Sequence, residues 1–180
     1  PQKYDKEMID SYKKGKDISV MVWGCFWGGG RSDLYLLNRD STSKRGGYSA
    51  NSYLEVLDDQ LPSCWQPGLV FMQDNASIHC AKKVQAWFSE NAIPVTDWPP
   101  FSPDLNPIKH IWVHLKRMVM KMHPEIKFMT GGKEAVAEAL GKALQEAWRA
   151  LPQELFDSLI ESMQDRVKAC IQSKGWHTKY

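Results

Sequence analysis

Apolar positions along this chain follow two rhythms. Residues 19–27 (SVMVWGCFW) form a near-continuous run of β-branched and aromatic side chains, the pattern of a strand buried on both faces. Gly28-Gly29-Gly30 makes a turn and residues 33–38 (DLYLLN) return as a second strand, which predicts a hairpin. Two shorter apolar runs, residues 69–72 and 93–98, predict two further strands. Elsewhere the spacing is helical. Residues 49–61 place Tyr53, Leu54, Val56, Leu57 and Leu61 on one side, and residues 62–67, which begin and end in proline, break the pattern. Residues 81–91 turn Val84, Trp87 and Phe88 inward. Beyond the stiff loop of residues 99–103, Asn106-Pro107 opens a helix striped by Ile108, Ile111, Trp112, Leu115, Val119 and Met122, which His123-Pro124 closes. Within residues 133–175 two amphipathic helices follow. One carries Val136, Leu140, Leu144 and Trp148; the other carries Leu155, Leu159, Met163, Val167 and Ile171 and stops at Gly175.

Hairpin, helix, strand, helix, strand, helix is an α/β layer order, so the expected fold is a mixed sheet covered by helices on both faces, with a C-terminal helical extension. The 180 residues suit a single domain, preceded by a polar arm at residues 1–17. An apolar share of 43% with 24% charged residues is globular rather than disordered composition. No apolar run is long enough to cross a bilayer. The polar start is not a signal peptide, and a first residue other than Met suggests a piece of something longer. Cys25, Cys64, Cys80 and Cys170 form no CxxC pair, which argues against a zinc site or a secreted disulfide framework and for a reducing, intracellular setting. The triple glycine followed by Arg31-Ser32 is not a phosphate loop, since it lacks the Gly-Lys-Ser/Thr ending. A net charge of +2 does not by itself name a nucleic acid as partner.

Functional groups in open α/β sheets gather beyond the carboxyl ends of the strands, and there the reading places Asp74, with Asn75 beside it as a further oxygen donor. An Asp after a strand is more often a turn-former than a ligand. Asn106 is the expected N-cap, with Pro107 at the first helical position. That makes Lys109 the third helical residue, where Glu would complete a capping box and where the helix dipole disfavours a cation by about 0.3–1 kcal/mol. His110 and His114 sit four apart, but no Glu follows His110 as a metalloprotease motif demands. His79-Cys80 is read as packing or capping rather than a nucleophile pair. Lys116, Arg117 and Lys121 lie on the polar side of the same helix.

The segments VMVWGCF, FMQDNASIH and SPDLNPI, in this order and followed by a helix, resemble the catalytic domain of mariner-type transposases of the DDE superfamily. The resemblance is strongest to fungal members and runs on to the ending GWHTKY. It implies an RNase H-like fold and three acids (Asp, Asp and Glu or Asp) binding two Mg²⁺ or Mn²⁺ ions for DNA cleavage and strand transfer. Two metals flanking one phosphate stabilise both the attacking and the leaving oxygen, and such hard cations need carboxylates. Asp74 matches the second acid. The third-acid position falls on Lys109, with 34 residues between the two as in the family's commonest pattern. An ammonium cannot coordinate a metal and repels one. The first acid is expected on an earlier, central strand that this sequence lacks; Asp5, Asp10 and Asp17 lie in a polar stretch and are not assigned that role. The resemblance also implies DNA as partner, phosphate contacts by Lys116, Arg117 and Lys121, a homodimer and a nuclear location. It leaves open a DNA-binding domain without catalysis, an enzyme completed by other parts of the protein, and a domesticated protein-interaction module. Lys109 fits natural decay, domestication or an engineered change equally.

Overall fold

A computed structural model of the protein describes residues 18–44, 46–100, 102–176 and 178–180. The arm at residues 1–17, with Asp5, Asp10 and Asp17, lies outside the described residues. The predicted hairpin is present but divided. β1 (Val22–Trp23) pairs antiparallel with β4 (Tyr35–Leu36), and β2 (Phe26–Trp27) pairs with β3 (Gly30–Arg31) around a tip where Gly29 adopts φ 81°. Ser32 causes the division. The Cys25 N–H donates to its hydroxyl rather than to a backbone carbonyl, at 2.9 Å, and that hydroxyl donates to the Asp33 carbonyl at 2.8 Å.

Among the described residues there are six α-helices. α1 (Ala50–Cys64) begins in a capping box made by Ser49 and Ser52. It continues past Pro62, the residue expected to end it, and closes where the Trp65 N–H donates to the Leu61 carbonyl at 2.8 Å. α2 is Lys82–Glu90, α3 is Ile108–Met122 and α4 is Lys133–Ala150. The last predicted helix is two, α5 (Gln153–Glu161) and α6 (Met163–Gln172), broken at Ser162. The break re-aims α6, so the expected apolar stripe is lost beyond it. Val167 and Ile171 are exposed, whereas Arg166 is buried, donating to the Ser162 hydroxyl at 2.8 Å and to the Asp104 carbonyl at 2.9 Å.

Because successive strand residues face opposite ways, the hairpin serves two cores. Trp23 and Leu37 pack with Tyr53, Val56, Leu57, Val84 and Phe88 of α1 and α2. Leu34, with Val22 and Phe26, packs against Ile111, Leu115, Ala147, Trp148 and Phe156 of α3, α4 and α5. Trp148 is the centre of the second core. Its indole N–H donates to the Ser32 carbonyl at 2.8 Å, and its ring meets Trp112 and Phe156. Gly24 makes room for it, since a Cβ there would lie 3.0 Å from the indole. Arg31, unremarkable in the sequence, ties the hairpin to the C-terminal helices. It donates to the carbonyls of Leu151 and Arg149 at the end of α4, at 2.8 and 3.1 Å, and lies over the Phe156 ring.

The sheet is sparser than the sequence suggests. The runs at 69–72 and 93–98 meet in one parallel bridge, Phe71 with Val95. Phe71 donates to the Pro94 carbonyl and accepts from the Thr96 N–H, both at 2.8 Å. Between this pair and the hairpin lies a cleft of about 680 Å³, walled by residues 22–28 on one side and 69–74 on the other. Alternation along an extended chain turns the N–H groups of Val70 and Met72 away from the bridge. Among the described residues no strand pairs beside them, and Val70 (59% exposed) and Met72 (36%) are open to solvent. Among the described residues the predicted mixed sheet is thus reduced to short pairings.

Candidate functional site

Asp74 stands where the 69–73 segment ends, at the mouth of the cleft. Its first bonds are local. Oδ1 accepts from the Ala76 N–H at 3.2 Å and lies 3.0 Å from His79 Nδ1, which also reaches the Asp74 carbonyl at 3.1 Å. So Asp74 shapes a turn, as an Asp after a strand commonly does. His79 is its partner, a role the sequence reading missed; the only signal was the five-residue spacing. The His79 ring packs on Tyr53, 4.5 Å between centroids, and the Tyr53 hydroxyl donates to Gln73 Oε1 at 2.6 Å. Burial holds the Tyr53 phenol well above its ordinary range, so it stays a donor. Asn75, beside Asp74, is held through its nitrogen. Its amide N–H donates to the Trp98 carbonyl at 2.9 Å, tying the two bridged segments together.

Lys109 lines the same cleft, whose wall continues through Asn106, Pro107, Ile108 and Lys109. The structure thus brings Asp74 and Lys109 to one opening. The expected capping by the Asn106 side chain is absent. Asn106 is extended and buried, and its N–H closes the preceding 3-10 turn (Pro103–Leu105) by donating to the Pro103 carbonyl at 3.0 Å. Pro107 is already helical at φ −66°, ψ −28°, as suits the start of a helix, and no side chain caps α3. The first turn of α3 holds no acid, and Lys109 is exposed there. The loop before it is pinned from the C-terminal side, since Asp104 Oδ2 accepts from the N–H and the hydroxyl of Thr178, each at 2.7 Å.

Lys116, Arg117 and Lys121 are exposed on α3. Arg117 and Lys121, joined by His114, flank a groove of about 320 Å³ whose other side is Leu151, Pro152 and Leu155; Lys116 stands outside it. His110 turns the other way. Burial, with the charges of Arg166 and His114 nearby, lowers its pKa, and its Nδ1 is buried without a hydrogen-bond partner. Among the described residues, no three His, Cys, Asp or Glu side chains gather as a metal site. Asp74 is one carboxylate, already engaged by His79, in a cleft that Lys109 also lines, so the donors among the described residues do not fit a pair of divalent metals.

The family model described as DDE superfamily endonuclease matches residues 38–129, just over half of the chain. The chain belongs to that family. Its relatives include the Tcb2 transposase of Caenorhabditis briggsae, 34% identical over 166 residues, and the Tc1 transposase of Caenorhabditis elegans, 35% identical over 162. Each alignment covers 90% of this chain and 55% of the relative, so the chain spans about half the length of these curated relatives. The fold matches the catalytic domain of Mos1 mariner transposase, with a TM-score of 0.54 at 17% identity over 97% of this chain and 91% of that one. A second structure of that domain, with raltegravir and manganese, matches with a TM-score of 0.57 and 17% identity over 99% of this chain and 100% of that one. This mariner-type DDE domain is therefore RNase H-like, as the motifs implied. Its matched region takes in both Asp74 and Lys109.

Proposed function

We propose that this DDE domain binds DNA and, as it stands, does not cut it. The observation that carries the reading is Lys109 on the wall of the cleft that holds Asp74. The motif frame places an acid at that position, and a carboxylate would also suit the free N–H groups of the first turn of α3. Lysine satisfies neither demand. DNA contact is assigned to Lys116, Arg117 and Lys121, exposed on one helix; Arg117 and Lys121 border a groove whose lining holds no acidic residue. The partner would be transposon ends or sites derived from them, the place of action the nucleus, and the working form a homodimer.

A second reading keeps the chemistry, and one observation favours it. Among the described residues no strand fills the cleft between residues 22–28 and 69–74, and Val70 and Met72 on its wall are exposed. A segment of the protein outside this chain would complete the sheet there and bring the first acid beside Asp74. Even so completed, the site would hold a cation where the third acid belongs.

Lys109→Glu tests the assignment. Titrating Mn²⁺ into the purified chain and following heat should show weak or no binding for the chain with Lys109 and tighter binding for the variant. The variant should also be slightly more stable, by about 0.3–1 kcal/mol from the helix dipole. Identical titrations would mean that Asp74 and position 109 do not form one site.

A further inference from the structure

Two of the four cysteines meet. Cys25, between β1 and β2, and Cys64, the last residue of α1, are 39 positions apart in sequence, yet their sulfurs lie 3.6 Å from each other. Both thiols are free and both line the cleft, so a small solute in the cleft reaches them. We infer that Cys25 and Cys64 are a reversible redox pair, closed to a disulfide by hydrogen peroxide or another small peroxide and reopened by a dithiol.

The geometry supports closure. A disulfide needs sulfurs about 2.05 Å apart, so the pair must close by about 1.5 Å. Cys25 cannot supply the movement, because its N–H donates to the Ser32 hydroxyl and its carbonyl accepts from the Ser32 N–H, both at 2.9 Å. Cys64 can. It sits at a helix end, after Pro62 has removed a backbone donor and before the Trp65–Gly68 link.

The two thiols also divide the work. The hydrogen bond between the two thiols lowers the Cys64 pKa; the same bond, with burial, raises that of Cys25. Cys64 is therefore the attacking thiolate. Its sulfur takes the distal oxygen of the peroxide as the O–O bond breaks, giving a sulfenic acid and water. The Cys25 sulfur then attacks the sulfenic sulfur, the S–S bond forms, and hydroxide leaves with the Cys25 proton as a second water. Two thiols are oxidised by two electrons and one peroxide is reduced to two waters. The link fastens the hairpin edge to the end of α1 and fixes one wall of the cleft that leads to Asp74. None of this depends on DNA binding, so the two proposals fail separately.

The test treats the folded chain with hydrogen peroxide, removes the oxidant, and labels remaining thiols with a maleimide in denaturant. A tryptic digest leaves Cys64 and Cys80 on one peptide, so cleavage at Asp74 is added to separate them. The expected product has lost two hydrogens, carries label on Cys80 and Cys170 only, and yields a Cys25–Cys64 peptide pair that dithiothreitol splits. Its melting temperature should rise by several degrees, as a loop closure of this length predicts. Cys64→Ser should abolish the product and Cys80→Ser should leave it intact. Label on all four cysteines after oxidation, or a link made through Cys80 or Cys170, would overturn the inference.

Discussion

Trp148→Ala should destabilise the domain by about 3–5 kcal/mol, the usual cost of emptying a large aromatic site in a core. That is a large part of the roughly 5–15 kcal/mol that holds a typical domain together. Three losses combine. The indole is 1% exposed, so its removal leaves a cavity that Trp112 and Phe156 fill only in part. The Ser32 carbonyl loses its donor in a buried place, which adds about 1–3 kcal/mol to the local cost. Gly24, bare in order to admit the ring, has no side chain to move into the space. Urea unfolding followed by circular dichroism should show a much lower midpoint, or no cooperative transition at all. Trp148→Phe, which keeps part of the volume and loses the N–H, should fall between. An alanine variant with an unchanged midpoint would mean that the hairpin does not rest on α4 through this residue.

Replacing Lys116, Arg117 and Lys121 together by alanine should have the next largest effect, on DNA affinity. A charge-assisted contact is worth about 1.5 kcal/mol at its lower end, roughly tenfold in affinity, so three lost phosphate contacts approach a thousandfold at low salt. The salt slope distinguishes this from misfolding, because each phosphate contact removed should reduce it by about one. Lys142, exposed on α4 and paired with Glu138, is the control and should leave both quantities unchanged when replaced. Affinity that ignores salt in the parent chain would remove phosphate contact from the account and favour a protein-binding role for this surface.

Much of this is legible in the sequence. The run at residues 19–27 and its return at 33–38 announced a hairpin with two apolar faces, and both are packed. The helices at 82–90, 108–122 and 133–150 follow directly from apolar spacing. What escaped depends on partners far away in the chain. Ser32 interrupts the hairpin through its hydroxyl, a choice between side-chain and backbone acceptors that periodicity cannot see. Ser162 breaks a stripe that still looks continuous, and the buried position goes to Arg166 because the Asp104 carbonyl, 62 positions away in sequence, waits there as an acceptor. At the site, position 74 was read correctly as the end of a strand-like segment, but its pairing with His79 came only from geometry. The expected Asn106 cap is absent because the helical backbone begins at Pro107 and no side chain caps α3.

Lys109 binds these strands together, since it is the residue on which family, fold and chemistry disagree. The frame around it is that of a DDE endonuclease, and it lines the cleft that Asp74 lines, yet a cation there opposes the metals on which that chemistry depends. The most direct measurement is nicking of supercoiled plasmid by the purified chain with Mn²⁺ against the same reaction in EDTA. The account predicts no difference between the two. Nicking that appears with Mn²⁺ and disappears with EDTA would contradict it.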